Sequence, residues 1–447
     1  MPPVTELTGA PARVATPTLP RVAARRRVAL AVLALTALSF LTPSAPTYDP
    51  WAWIVWGREV LHLDLSTTGG PSWKPLPVLL TTPFALFGPL APDLWLFVAR
   101  AGALAGVVLA FRVARRLGGG TVGATAAATA YALAPWTVRN AAMGNSEGLL
   151  VALALGAVDR HVVGARGQAF ALGLGCALLR PEAWPLFGLY GLWLLWRDRR
   201  AALGHVLAGW ASLPVLWLLP ELWGSGDPLR AAHRAHAPNA DSAAFADNPV
   251  AEVLRDFANM IQPVVWAGVA VFALVMLAHR RTSHPSRREA RVALALGVIA
   301  VIWVAEVAYM TNDGFSGNAR YLIMPAAIVC VLGGLGLGWL IAALARLRLA
   351  AGPGAIALVV LAALAVGVPA AADLPDAIDS IGYQSRLTDG VGPVIERAGG
   401  PAALRRCGDA YTGPFQVPVV AWHLRVHTSA VNLHPAGPAV VFRAANA

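Results

Sequence analysis

The residues best suited to chemistry stand in four short clusters between long apolar runs. The first reads Tyr48-Asp49-Pro50-Trp51-Ala52-Trp53-Ile54-Val55-Trp56-Gly57-Arg58-Glu59 and is followed by Trp73-Lys74-Pro75. A carboxylate can take the proton of a neutral hydroxyl as that hydroxyl attacks, and tryptophan faces stack on the apolar side of a sugar ring. The second cluster holds Arg139, Asn140, Asn145 and Glu147, the third is Leu179-Arg180-Pro181-Glu182-Ala183-Trp184-Pro185, and the fourth is Asn318-Ala319-Arg320-Tyr321-Leu322. Guanidinium groups at such helix ends need an anion as their reason, and a phosphate would serve. Arg100 and Glu306 lie inside apolar runs, where a charge is costly unless it faces a protein interior or a wet cavity. Plainer readings stand beside these: an interfacial tryptophan belt, a structural pairing of Arg100 and Glu306 within the bundle, and Asp49 as the N-cap of the short helix that Pro50 begins.

The elements that must position these residues are set by composition. The chain has 447 residues, 57% hydrophobic and 13% charged, with a mean hydropathy of +0.58. A globular chain is about one quarter charged, so the solvent for most of this one is lipid. Residues 1–27 are rich in Pro, Ala and Thr, end in Arg25-Arg26-Arg27, and read as a disordered cytoplasmic tail. An apolar run at 28–46 is read as an uncleaved first helix. Further runs near 93–113, 119–137, 148–164, 167–180, 183–197, 203–220, 262–279, 292–310, 321–345 and 353–372 bring the expected total to about eleven transmembrane helices.

Arginines mark every second connection: Arg112, Arg115 and Arg116; Arg160 and Arg166; Arg197, Arg199 and Arg200; Arg280, Arg281, Arg287 and Arg288; Arg346 and Arg348. By the positive-inside rule these face the cytoplasm, which places the amino terminus inside, all four clusters outside, and the carboxyl terminus extracytoplasmic. Residues 76–90, punctuated by prolines, read as a re-entrant or interfacial segment of a large first outer loop. The tail 373–447, with an expected helix near 391–406 and strands at 416–427 and 438–443, reads as a small α/β extracytoplasmic appendage to an all-α polytopic membrane domain at 28–372.

Several function classes drop out. The net charge of +11 comes almost wholly from arginine, Lys74 being the only lysine. Its placement between apolar runs points to lipid phosphates, not nucleic acid. The cysteines Cys176, Cys330 and Cys407 read as free thiols. There is no Walker A loop, no GxGxxG after a strand and no Asp-X-Asp, so a cytosolic nucleotide conjugate is not the expected substrate and no cofactor is expected. Glycines 333, 334, 336 and 338 suit close helix packing. His233 and His236, three apart, suit a metal only if helical, and no metal site is assigned.

Together these features resemble the GT-C class of bacterial membrane glycosyltransferases, which take sugars from polyprenyl-phosphate donors. Asp49 resembles the acidic residue of that class's first outer loop, Arg180-Pro181-Glu182 its Arg-Pro-Glu turn, and Arg320-Tyr321 its late Arg-Tyr pair. A second acidic residue after Asp49 is missing, since Pro50 stands there, which argues against a metal-dependent version. The resemblance implies a hexosyl- or pentosyltransferase of the cell membrane acting on an extracytoplasmic glycan, lipid or protein. Asp49 would be the catalytic base, and Trp53, Lys74, Arg100, Glu147, Arg180, Glu182, Arg320 and Tyr321 would bind substrate. The rivals are a transporter or lipid flippase whose path Arg100 and Glu306 would line, and an inactive accessory member of the class.

Overall fold

The computed structural model describes residues 19–278, 286–346, 353–435 and 437–444. The expected cytoplasmic arginines Arg280, Arg281 and Arg348 and residues 1–18 of the tail lie outside them. Helix α1 (Leu19–Ser39) is followed by α2 (Tyr48–Leu61), α3 (Pro75–Phe84), α4 (Ala91–Arg116), α5 (Gly120–Ala132), α6 (Pro135–Ala142) and α7 (Glu147–Val162). Next come α8 (Arg166–Ala177), α9 (Trp184–Arg197), α10 (Arg199–Ser225), the short α11 (Arg230–Ala235), α12 (Pro249–Asn259) and α13 (Pro263–Ala278). Helices α14 (Arg287–Asn312), α15 (Ile323–Arg346) and α16 (Pro353–Arg397) complete the bundle.

Four stretches among the described residues are long and apolar enough to cross a membrane: Pro75–Arg116, Arg199–Ser225, Arg287–Asn312 and Ala319–Arg346. Two bent pairs, α6 with α7 at 116° and α12 with α13 at 98°, raise the number to six. The first stretch is broken at Gly88, whose φ of +54° no helix accommodates. Of the other apolar runs, 28–46 and 353–372 fall largely in the longer α1 and α16, whereas several form shorter helices, such as the 12-residue α8 and the 14-residue α9. At 1.5 Å per residue these reach about 20 Å, less than the ~30 Å of a hydrocarbon core.

Helix α15 is the hub, buried from Ile323 to Gly336 and packed on α5 and α13. Its glycines are there for contact: a Cβ on Gly334 would stand 2.5 Å from the Gly123 carbonyl oxygen of α5. The arginine-rich helix ends gather at one end of the bundle. There the buried Asp159 of α7 accepts from Arg112 at 2.9 Å and from Arg116 at 2.6 Å, with Arg160 also bound to it, and Arg288 of α14 donates to the Val162 carbonyl at 2.8 Å.

The carboxyl-terminal part departs from the sequence reading. Helix α16 runs unbroken through residue 373, where the domain boundary was expected. The helix expected near 391–406 is divided at Gly399 and Gly400, both at positive φ, into the end of α16 and α17 (Gly400–Cys407). The run 416–427, expected as a strand, is largely helix: α18 (Val417–Leu424) buries Val417, Val420, Ala421 and Leu424. Pro418 and Val419 are buried as well, so the segment is packed on more than one side, and this tertiary packing outweighs the β-propensity of the valines. The three-stranded parallel sheet instead places β1 (Asp409–Tyr411) between β2 (Val431–Asn432) and β3 (Ala439–Val441), with Ala410 paired to Val431 and Asp409 to Ala439. At the other terminus α1 begins at Leu19, inside the segment expected to be unstructured, because alanine and arginine at 23–27 are strong helix formers.

Candidate active site

At the opposite end of the bundle from Asp159, all four clusters meet, with Lys74, around the first turn of α2. Thr47, extended at φ −88° and ψ −168°, is the N-cap, and Asp49 lies within the first turn. The capping reading of Asp49 is therefore corrected: its carboxylate accepts from the Arg320 Nη2 at 3.1 Å. Arg320 sits on the turn that leads into α15, and Asn318 fixes this turn by accepting the Arg320 backbone N–H at 3.0 Å. Its Nη1 donates to the Asn145 Oδ1 at 3.1 Å, an oxygen that also accepts from the Thr47 hydroxyl at 3.1 Å. Asn145 donates in turn to the Asn140 Oδ1 at 2.8 Å. One guanidinium thus ties the start of α2 to the α6–α7 corner.

Arg180 is the second guanidinium. It is extended because Pro181 follows it, and it is buried, with 5% of its side chain exposed, against 25% for Arg320. Its Nη2 meets the Glu147 Oε1 at 2.5 Å, its Nη1 lies 3.8 Å from the Glu182 Oε1, and its Cζ stands 4.3 Å from the centre of the Tyr321 ring. The Oε2 atoms of both glutamates have no hydrogen-bond partner among the described residues, so this group carries unused acceptor capacity. Lys74, also buried, precedes α3 in an extended conformation, with its Nζ 5.1 Å from the centre of the Trp53 ring.

Three carboxylates, Asp49, Glu147 and Glu182, are set against three cations, Lys74, Arg180 and Arg320. Burial pushes the Asp49 carboxyl up, but Arg320 and then Lys74 outweigh it and hold it below the usual carboxylate range. Lys74 is pushed down to about 8, by burial first and the Arg180 charge next, with Glu147 and Asp49 offsetting part of this.

Two residues expected at the site have other work. Trp53 is fully buried, its ring edge-on to Trp95 at 5.3 Å. It underlies Lys74 and offers no face for a sugar, because α2 buries every side chain from Pro50 to Val55. Arg100 is outside the cluster: it donates to the Ser39 carbonyl at 2.6 Å and to the Ser39 hydroxyl at 3.1 Å, with its Cζ 4.9 Å from the Phe40 ring centre. A cation at the carboxyl end of α1 satisfies otherwise unpaired carbonyls, which accounts for its burial without a partner carboxylate. His233 and His236 face different carboxylates, Asp227 at 2.8 Å and Asp313 at 3.8 Å, and no group of three metal-ligating side chains occurs among the described residues.

Asn145 was expected among the polar residues of the second cluster, between Arg139 and Glu147, but with no partner assigned to it. Thr47 was not expected at the site, and nothing local marks it.

No family model matches the sequence, and no curated protein matches it. Solved structures do. ArnT from Cupriavidus metallidurans matches in its apo state with a TM-score of 0.56 at 17% identity, over 92% of this chain and 85% of ArnT. The same enzyme bound to undecaprenyl phosphate matches with a TM-score of 0.57 at 15% identity, over 95% and 86%. The archaeal oligosaccharyltransferase AglB from Archaeoglobus fulgidus, in complex with an inhibitory peptide and a dolichol-phosphate, matches with a TM-score of 0.52 at 12% identity. That match covers 90% of this chain and 64% of AglB. ArnT and AglB are GT-C glycosyltransferases that use polyprenyl-phosphate-linked donors. At these identities the likeness is one of fold: this chain has the GT-C membrane fold, which its short motifs resembled.

Proposed function

We propose that the protein is an integral membrane glycosyltransferase that moves one sugar, a hexose or pentose, from a polyprenyl-phosphate donor to an extracytoplasmic glycan, lipid or protein. The observation that carries this reading is the single guanidinium of Arg320 held between Asp49 and Asn145, with Lys74 and Arg180 beside it. The neighbours in fold that hold undecaprenyl phosphate and a dolichol-phosphate support it. In the reaction, the acceptor oxygen bonds to C1 of the sugar as the bond from C1 to the phosphate oxygen breaks. The acceptor proton passes to Asp49, and the electron pair stays with the phosphate, where Arg320 and Lys74 stabilise it.

The pairing of base and cation has a consequence for order. While Arg320 holds Asp49, the carboxylate is a weak proton acceptor. A donor phosphate that draws Arg320 towards itself removes the largest influence lowering the Asp49 pKa, so the base strengthens when donor is in place. Arg180, held between two buried glutamates, stays fixed in place. Arg100, bound to carbonyls of α1, is not free to line the path that a transporter needs.

The same reading keeps about eleven spans, with the shorter helices crossing in locally thinned or tilted settings, the amino terminus in the cytoplasm, and residues 373–447 outside. An alkaline phosphatase fused after Ala447 should then be active in intact cells. An inactive fusion would put the site on the wrong side of the membrane for an extracytoplasmic acceptor.

Binding of undecaprenyl phosphate to the detergent-purified protein tests the donor site, and Lys74 gives it a pH signature. Affinity should fall as pH rises through about 8, because the phosphate favours the charged amine. Lys74→Arg should hold its affinity across this range, since a guanidinium does not titrate there. Unfolding through Lys74 would not mimic the effect: its folded pKa lies below its unfolded value, so the cost of burying its charge is relieved, not increased, as pH rises between the two. A protein that binds no undecaprenyl phosphate at any pH would overturn the reading.

A further inference from the structure

A cavity of about 1520 Å³ lies at the same end of the bundle but does not include Asp49, Lys74 or Arg320 in its lining. At 100° per residue, Trp51, Arg58 and His62 share one face of α2 and line the cavity, whereas Asp49 and Trp53 lie some 160° away from Trp51 and face the charged cluster. The far wall is α16 and α18, with Asp389, Glu396 and Trp422, and the floor is apolar, with Leu41, Pro43 and Leu96 from the ends of α1 and α4.

The chemistry of the walls selects a ligand. Five carboxylates, Glu59, Asp64, Asp93, Asp389 and Glu396, face two guanidiniums, Arg58 and Arg425, so an anion is disfavoured and the donor phosphate does not belong here. Trp51 and Trp422 stand with ring centres 6.3 Å apart. Trp51 is 5% exposed, and its indole N–H meets no acceptor among the described residues. The half-buried indole of Trp422, backed by Trp51, and carboxylates that accept from hydroxyls are together what a sugar presents partners for.

We propose that this cavity is a saccharide site for a neutral or amino-sugar glycan, either free or carried on a lipid whose chain would rest on the apolar floor. The proposal deepens the glycosyltransferase reading by naming the acceptor's class. A helix diameter of about 10 Å separates the cavity from Asp49, so an acceptor that fills the one and reacts at the other has more than one sugar unit.

The test uses the full chain in detergent on an array of neutral, amino and acidic oligosaccharides, with neutral glycolipids in nanodiscs titrated in parallel. Neutral or amino oligosaccharides should be retained, and Trp422→Ala and Asp389→Asn should each weaken that binding about tenfold, the scale of one stacking contact or charge-assisted hydrogen bond. Both variants should bind undecaprenyl phosphate as the parent does, which certifies their fold. Binding of free and lipid-borne glycans alike would assign the glycan as the recognised part, and binding of glycolipids alone would add the lipid chain. Retention of acidic glycans only, of none, or to the same degree in both variants would overturn the proposal. Failure of undecaprenyl phosphate to bind the parent protein would strike the donor reading instead and leave the glycan result to stand or fall separately.

Discussion

Asp49→Asn should lower sugar transfer about 10²-fold or more, the scale of general-base catalysis, without loss of protein or of donor binding. An amide oxygen still accepts from Arg320, and Thr47 remains the N-cap of α2, so the substitution removes proton affinity and little else. Membranes with matched amounts of each protein, assayed with radiolabelled polyprenyl-phosphate sugars, would show it. Because Arg320 and Lys74 hold the parent carboxyl below its usual range, Asp49 is ionised throughout the neutral range. The acid limb of the parent's kcat/KM for donor, which reports the free enzyme, should therefore lie below about pH 4, the ordinary carboxylate value. Transfer by Asp49→Asn at the parent rate would remove Asp49 from the mechanism. Glu59 would be a poor substitute, since its oxygens are already engaged by the Ser66 N–H at 3.0 Å and by His427 at 2.9 Å. Glu147 and Glu182, each with an oxygen lacking a partner, would be the next to test.

The sequence made the members of this site legible because they break rules: a carboxylate where a helix mouth needs none, and arginines at helix ends that the alternation of charge leaves unexplained. It did not make their relations legible. Asp49 and Arg320 were assigned separate tasks, base and phosphate ligand, and only the fold brings residues 271 positions apart into one ion pair, which makes the two tasks depend on each other. Arg100 was misplaced for a related reason. Burial announces that a charge has partners, but not that they are the carbonyls of Ser39, at the end of a different helix, and of Pro43 just beyond it. The tryptophans of α2 show the limit of composition: aromatic side chains beside a carboxylate suit a sugar, yet Trp53 and Trp56 are fully buried and hold α2 in place, leaving Trp51 to line a cavity. Helix α18 was read as a strand because valine and tryptophan favour sheets, whereas its continuous buried run at 417–421 is packed as helix against α2 and α16, contacts that the local sequence does not show.

Arg320→Gln should weaken undecaprenyl phosphate binding by about 10- to 100-fold, the loss expected when a charge-assisted hydrogen bond to an anion becomes a neutral one. Arg320 is a sharper probe than Arg180. Replacing Arg180 strands Glu147 and Glu182 as buried, unpaired charges, which is a folding defect of about 3–5 kcal/mol and would be confounded with any binding loss. Arg320, a quarter exposed and paired with the half-buried Asp49, leaves less behind when it is removed. The same substitution has a second readout that a merely structural role would not move. Arg320 exerts the largest downward influence on the Asp49 carboxyl, so in Arg320→Gln the pKa rises, and the acid limb of the residual kcat/KM for donor should shift upward. Arg320→Lys keeps the charge but cannot reach Asp49 and Asn145 with two separate nitrogens as the guanidinium does. It should recover part of the donor affinity and keep the acid limb near its parental position. Parental donor affinity in Arg320→Gln would place the phosphate elsewhere. A weakened affinity with an unmoved acid limb would keep the phosphate contact and break the link between donor occupancy and base strength.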